Sequence, residues 1–178
     1  MNGANMNNSI NTDSIFMESQ AFYYVFCSLV DKCIFPFRDA DKQKQFIKDH
    51  QLGKTPDLTA ACITNGMLAA ELSLKYLTYK ETGQFRHKHE IDILFNELPE
   101  KHKREITKII KEDAYQNEET LSENLKGISN FFVEFRYLFE QKGIGFSGFL
   151  FKFVHIVCRY CYNHYYEEIG FRCSSEMD

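Results

Sequence analysis

The helical spacing of apolar residues is the feature that most constrains how this chain can fold. Apolar residues recur every three or four positions in almost every segment, and no run alternates between apolar and polar residues long enough to predict a confident strand. The pattern predicts an all-α protein, a bundle of about five to six helices. The clearest stripe consists of Leu58, Ala61, Cys62, Asn65, Leu68, Ala69, Leu72, Tyr76 and Tyr79.

Capping residues, prolines and glycines predict where the helices begin and end. Asp13 is the expected N-cap of the first helix, and Pro56 and Gly83 bracket the second. The charged segment 37–54 predicts a short helix or a loop. The fourth helix is mostly polar, so it is expected on the surface. The predicted helices span about residues 14–34, 55–82, 89–97, 99–114, 122–141 and 147–169.

Length and local composition define the expected domain organisation. A chain of 178 residues fits one domain with a sizeable core. Its first 13 residues are polar and rich in asparagine, which is typical of a disordered segment. We therefore expect a disordered tail over residues 1–13 and a single helical domain over residues 14–178.

Charge and cysteine content bear on partners and location. The formal net charge of −4 argues against non-specific attraction to a polyanion as the main function, although a local basic patch would be compatible with it. Six cysteines behind a start that does not resemble a signal peptide predict reduced thiols in a cytoplasmic protein. The most apolar window, 146–161, contains three basic residues and is shorter than the roughly 20 residues of a membrane span. A buried helix is expected there, without membrane association.

The last predicted helix carries four residues of the metal-ligand type at three-residue spacing, namely His155, Cys158, Cys161 and His164. On one helix the outer two would be about 13.5 Å apart, too far for a single tetrahedral zinc ion. A redox pair of cysteines normally lies at a helix N-terminus, and this pair does not. The sequence therefore predicts no metal site and no cofactor here, and the cysteines are expected to pack in the core.

Two further pairs on the later helices combine an arginine with a possible catalytic partner. Arg159 and His164 are five residues apart, which puts them about 140° apart around a helix, so they do not share a face within one chain. Either the long arginine reaches round the helix or a partner chain brings the two together, and on spacing alone a chance match is favoured. Arg136 and Glu140 are four residues apart and do share a face. The aromatic residues around them favour burial, and both a structural and a functional role remain open.

Two candidate groups lie earlier in the chain. Glu71 and Lys75 are four residues apart beside the core stripe, a spacing typical of a solvated ion pair. The basic run from Arg86 to His89 opens the third predicted helix. It is either a solvated loop or a place where a phosphate binds at the helix N-terminus.

Three segments together resemble the HEPN-domain family. The first is TPDLTAA (55–61) followed by AELSLKYL (70–77), the second is HEIDILFNELP (89–99), and the third is FRYLFE (135–140). They occur in the family's order and with similar spacing over about residues 55–140. The resemblance implies a small helical bundle that usually forms a homodimer and works mainly in prokaryotic defence, toxin–antitoxin or stress systems.

The resemblance also implies two kinds of activity. Many HEPN proteins are metal-independent endoribonucleases whose Arg-x4-6-His motif lies in a groove at the dimer interface, while others bind RNA or a partner protein without catalysis. Arg136 matches the arginine of that motif, but Glu140 and Gln141 stand where the motif needs histidine. A carboxylate can act as a general base on a ribose 2′-OH, so the chemistry is compatible although the motif does not support it.

The main hypothesis is a homodimeric HEPN-like module that binds RNA or a protein partner, such as an antitoxin or a defence-system protein. The alternative is a metal-independent endoribonuclease. The expected RNA-binding or partner-binding residues are Glu71, Lys75, Arg86 and His89. The alternative catalytic residues are Arg136, Glu140, Arg159 and His164.

Overall fold

The computed structural model describes residues 11–34, 40–49, 58–114, 118–134 and 148–169. These residues form seven α-helices and no strand, which confirms the all-α prediction. The second helix covers residues 40–49 of the charged segment 37–54, for which the sequence left a short helix or a loop open, and the rest of that segment lies outside the described residues. The helices are α1 (Thr12–Ile34), α2 (Ala40–Asp49), α3 (Thr59–Thr82), α4 (Ile91–Asn96), α5 (Glu100–Ala114), α6 (Glu118–Glu134) and α7 (Gly148–Glu168).

The helix ends that the structure describes agree with the predicted ones within about four residues, with a different cap at the start of α1. The predicted end of the fifth helix near residue 141 lies outside the described residues. Gly83 adopts a left-handed conformation with φ 66°, and its N–H donates to the Tyr79 carbonyl at 2.8 Å, as expected of a residue that ends α3. The side chain of Asn11, not Asp13, caps α1 by accepting from the backbone N–H groups of Asp13 and Ser14 at 3.0 and 3.3 Å. Most of the predicted tail and the region around Pro56 lie outside the described residues.

Helix α3 is the centre of the bundle. It packs chiefly against α1 and α7 and also contacts α4 and α6. From residue 69 to residue 78 every side chain except that of Leu72 is buried, so the helix is covered nearly all the way round. The predicted one-sided stripe was therefore partly wrong: Cys62, Ala69 and Tyr76 are buried, but Ala61 is exposed and the other stripe residues are half-buried. Polar residues outside the stripe are buried instead, among them Glu71 and Lys75.

Helices α1 and α3 approach each other closely at a glycine. The ring of Phe26, fully buried, covers Gly66, where a Cβ atom would lie only 2.6 Å from the ring atom Cδ2. One turn further along α3, the Ser19 hydroxyl donates to the Ala69 carbonyl at 3.2 Å and lies 2.7 Å from the Ser73 hydroxyl. These polar contacts satisfy buried hydroxyls within an otherwise apolar interface.

Helix α5 is more deeply packed than its polar sequence indicates. His102, Ile106 and Ile110 lie along one side and are each fully buried. The expectation that this helix lies on the surface therefore holds only for the side opposite these three residues. Buried residues at every fourth position are enough to anchor the helix to the bundle. Within the described residues, no helix combines the length and the apolarity needed to cross a membrane.

Candidate functional site

A buried ion pair lies at the centre of the candidate site. Lys75 Nζ donates to Glu71 Oε1 at 2.8 Å, and the two side chains are only 4% and 5% exposed. The sequence favoured a solvated pair, and that expectation was wrong because α4 and the segment before it cover this face of α3. A pair this deeply buried loses most of its hydration, so its geometry and its remaining partners decide whether it is stable.

His89 connects the buried pair to the surface. Its Nδ1 lies 2.9 Å from the same Glu71 oxygen, while its own side chain is 66% exposed. A carboxylate only accepts hydrogen bonds, so Nδ1 carries the proton and the ring is held with Nε2 directed away from the carboxylate. The result is a surface imidazole with a fixed tautomer and a fixed orientation.

The ring of Phe85 packs against the buried lysine. Its ring centroid is 5.4 Å from Lys75 Nζ, within the range of a cation–π contact. The ring also packs edge-on against Tyr79 and His87, at centroid distances of 6.2 and 5.3 Å. The segment between α3 and α4 is thus anchored by aromatic packing as well as by His89.

Two cations of the same segment share one carboxylate. Arg86 Nε and Lys88 Nζ lie 3.2 and 3.1 Å from the two oxygens of Glu97. The lysine donates a hydrogen bond, whereas the arginine contact is a charge contact without hydrogen-bond geometry. We define residues 85–89 as the basic segment. Because one carboxylate faces two cations, the segment keeps a positive charge.

The predicted binding residues therefore come together, and of the predicted catalytic residues only Arg159 and His164 lie within the described part of the chain, where they are apart. Glu71, Lys75, Arg86 and His89 all belong to the basic segment or the pair beneath it. Arg136 and Glu140 lie outside the described residues. Arg159 is exposed, and its positive charge acts to lower the pKa of both Tyr23 and His155. It therefore lies near the side of α7 that faces α1. His164 instead packs against His102 of α5.

The two cysteines of α7 are fully buried, as expected of core residues. The Ser73 hydroxyl lies 3.6 Å from Cys158 Sγ. Burial raises the pKa of Cys158 to about 12 and raises the pKa of Cys161 as well, which makes both thiols poor nucleophiles. His155 does not join them, because its Nδ1 lies 2.7 Å from the Tyr23 hydroxyl on α1. These contacts agree with the packed-helix interpretation.

A second polar cluster, which the sequence did not indicate, joins Glu81, His102 and His164. The three side chains come from α3, α5 and α7, so no local spacing relates them. The imidazole rings of His102 and His164 meet edge-on with centroids 4.7 Å apart. Burial lowers the pKa of His102, and the neighbouring His164 lowers it further. His102 is therefore a neutral base inside the bundle.

The fold and the first site define a class of protein: a helical bundle whose central helix carries a buried charged pair beneath a basic surface segment. Within that class, the HEPN domain family model matches residues 44–161. The match covers more than half of the chain, and the protein belongs to the HEPN domain family. It is thereby a helical module of the kind associated with ribonucleases and nucleotidyltransferases. Searches among curated proteins and among solved structures gave no match.

Proposed function

We propose that this HEPN domain binds RNA through the basic segment. The observation that carries the proposal is the exposed ring of His89, fixed by a buried carboxylate and placed beside Lys88, which is 53% exposed. RNA offers phosphates to such cations, and its unstacked bases pack against aromatic and imidazole rings. A ring that is already oriented loses little conformational entropy on binding.

The charge distribution supports a local RNA contact. The chain has a net charge of −4, so attraction over the whole surface would not favour RNA. In the basic segment, however, Arg86 and Lys88 outnumber the carboxylate of Glu97 that they share, whereas the carboxylate of Glu90, which accepts from the backbone N–H of His89 at 3.1 Å, keeps its negative charge and limits the attraction. Binding is thus expected at one patch and at moderate strength.

Removing the lysine of this patch is expected to weaken RNA binding in a salt-dependent way. Lys88→Ala should weaken binding of a fluorescent mixed-sequence single-stranded RNA about fivefold, since one exposed ion contact contributes up to ~1 kcal/mol. It should also reduce the slope of log K against log salt concentration by about 0.7. His89→Ala should also weaken binding, because the oriented ring that packs against an unstacked base is lost. Fluorescence anisotropy at several salt concentrations measures both quantities.

The matched control is Lys44→Ala, which removes a lysine that is 79% exposed on α2. Equal loss in Lys44→Ala and Lys88→Ala would locate the binding elsewhere and contradict the proposal. The same RNA, incubated in EDTA and run on a denaturing gel, should be recovered intact. Cleavage of the RNA would contradict a binding role without catalysis. It would favour the alternative that the resemblance implies, a metal-independent ribonuclease.

We further propose a cytoplasmic homodimer that acts in a prokaryotic defence, toxin–antitoxin or stress system. HEPN domains commonly dimerise. Helix α1 offers a surface for this, because Met17 and Tyr24 lie two turns apart on one side and are 60% and 75% exposed, with Val25 beside them at 39%. Exposed apolar residues grouped in this way mark interaction surfaces.

A charge on this surface is expected to separate the protomers. Tyr24→Glu should shift the protein from dimer to monomer in light scattering coupled to size-exclusion chromatography, because an unpaired carboxylate would be buried at the interface. Ile169→Glu, which changes a 55% exposed residue at the end of α7, is the control and should remain a dimer. A wild-type protein that elutes as a monomer at all concentrations would refute the dimer.

A further inference from the structure

We infer that Glu81, His102 and His164 form a binding site for one divalent transition-metal ion, with zinc the best fit. The three potential ligand atoms all lie within 4.8 Å of one another. His102 is fully buried and the His164 side chain is 12% exposed, whereas Glu81 is 42% exposed and lies on the solvent side. Two imidazoles and one carboxylate are a donor set that binds zinc and disfavours the all-oxygen ions magnesium and calcium.

The hydrogen bonds around His102 fix the tautomer that a metal needs. The Tyr160 hydroxyl donates its single proton to Glu105 Oε2 at 2.7 Å, and the same hydroxyl oxygen lies 2.8 Å from His102 Nδ1. That oxygen can then only accept from the ring, so Nδ1 carries the proton and Nε2 presents a lone pair. A carboxylate that orients a histidine from behind is the usual support of a metal ligand.

The lone pair of His102 has no donor directed at it among the described residues. Nε2 is buried, has no hydrogen-bond partner among the described residues, and lies 3.3 Å from Glu81 Oε1. Two acceptors at this distance repel each other unless a cation lies between them. The Nε2 of His164 is likewise buried without a hydrogen-bond partner in the described part of the chain. The cluster thus has an excess of acceptors, which one bound ion would satisfy.

The spacing of the ligand atoms fits a zinc ion. Two atoms bound to a tetrahedral zinc at about 2.0–2.1 Å are about 3.3 Å apart. The observed distance from Glu81 Oε1 to His102 Nε2 is 3.3 Å. Little movement is needed for this pair, and the exposed Glu81 side chain can adjust to the third ligand. The pair of Glu81 and His102 is therefore close to binding geometry, and the ligand atom of His164, within 4.8 Å of both, would move towards the ion.

The fourth coordination position has two candidate occupants. Glu168 Oε1 lies 3.6 Å from His164 Nε2, but its other oxygen is paired with Lys80 at 3.1 Å. Alternatively, the position stays open to water, because His164 also lines a surface cavity of about 250 Å³. In either case the ion would join α3, α5 and α7, three helices that hold the bundle together.

Metal binding is tested on the full-length protein without a histidine tag, stripped with EDTA and dialysed. Titration with Zn²⁺ alone in a calorimeter should give one equivalent per chain, and Zn²⁺ should raise the melting temperature. Glu81→Gln and His164→Gln should weaken binding at least about tenfold. Tyr160→Phe, which removes the group that orients His102, should weaken it by about the same factor. Glu119→Gln changes an exposed carboxylate of α6, outside both sites, and should bind as the wild type does.

Substitution with Co²⁺ separates this site from the cysteines of α7. The expected visible spectrum has ligand-field bands without a thiolate-to-cobalt charge-transfer band. A charge-transfer band, equal affinity in Glu81→Gln and wild type, or no saturable binding would each overturn the inference. Glu81 lies on the solvent side of the cluster, so its substitution leaves the bundle folded, which circular dichroism checks. The basic segment is untouched by these variants, so the outcome is independent of RNA binding.

Discussion

Replacing Glu71 by alanine is expected to lower the free energy of unfolding by about 3–5 kcal/mol, the range found when a buried ion pair loses one partner. Lys75 would remain 4% exposed without its carboxylate, and the Phe85 ring at 5.4 Å would be its nearest compensation. His89 would lose its anchor at the same time. Urea unfolding at pH 7, followed by circular dichroism, measures the change.

The matched variant removes both charges. Glu71→Leu combined with Lys75→Met keeps the volume and should be within about 1 kcal/mol of the wild type, because neither charge is then left unpaired in the interior. In this variant the stability is expected to be retained while RNA binding is weakened. The reason is that His89 no longer has the Glu71 carboxylate as an acceptor, so the orientation of its ring is lost. If Glu71→Ala alone costs less than about 1 kcal/mol, water reaches the pair and our account of its burial is wrong.

Gly66→Ala is expected to destabilise the protein by about 1–3 kcal/mol, although alanine is the better helix former. The new Cβ would lie 2.6 Å from Cδ2 and 2.8 Å from Cε2 of Phe26. The ring is rigid and fully buried, so relief requires that α1 move away from α3. Because this contact belongs to the most extensive helix pair in the bundle, the strain spreads along it.

Gly127→Ala is the control for this prediction. Gly127 lies within α6, and nothing is within 4 Å of the position that its Cβ would occupy. That substitution should stabilise the protein by about 0.5–1 kcal/mol through helix propensity alone. Thermal unfolding of both variants distinguishes the two effects by sign. Stabilisation in both would show that Phe26 and α1 adjust without cost.

Most of the helical architecture could be predicted because local signals encode it. The spacing of apolar residues located α1, α3 and α7, and Gly83 marked the end of α3 correctly. Burial was harder to predict, because it depends on how many neighbours a helix has. The stripe on α3 indicated one buried face, yet contacts with four helices cover it on nearly every side. Glu71 and Lys75 were predicted to be solvated for the same reason, because the sequence does not show that neighbouring elements bury them.

The candidate sites show where sequence reasoning ends. Glu71 and Lys75 are four residues apart, so their pairing follows from helix geometry, and the basic run from Arg86 to His89 is visible in composition. Contact between His89 and Glu71 depends on the path of the chain after Gly83. The cluster of Glu81, His102 and His164 depends on three helices that are remote in sequence. Only packing brings those side chains together, so no spacing rule could identify them.

Because Cys158 and Cys161 are buried, the reactivity of their thiols reports how often the bundle opens at α7. A thiolate is the species that alkylating reagents attack, and both cysteines have raised pKa values and no exposed surface. They can react only when α7 separates from α3. Their labelling rate under native conditions therefore measures how often α7 detaches from α3. Optical unfolding reports an average over the whole protein and does not detect such local opening. Oxidative stress would likewise modify this pair only in molecules that are already partly open.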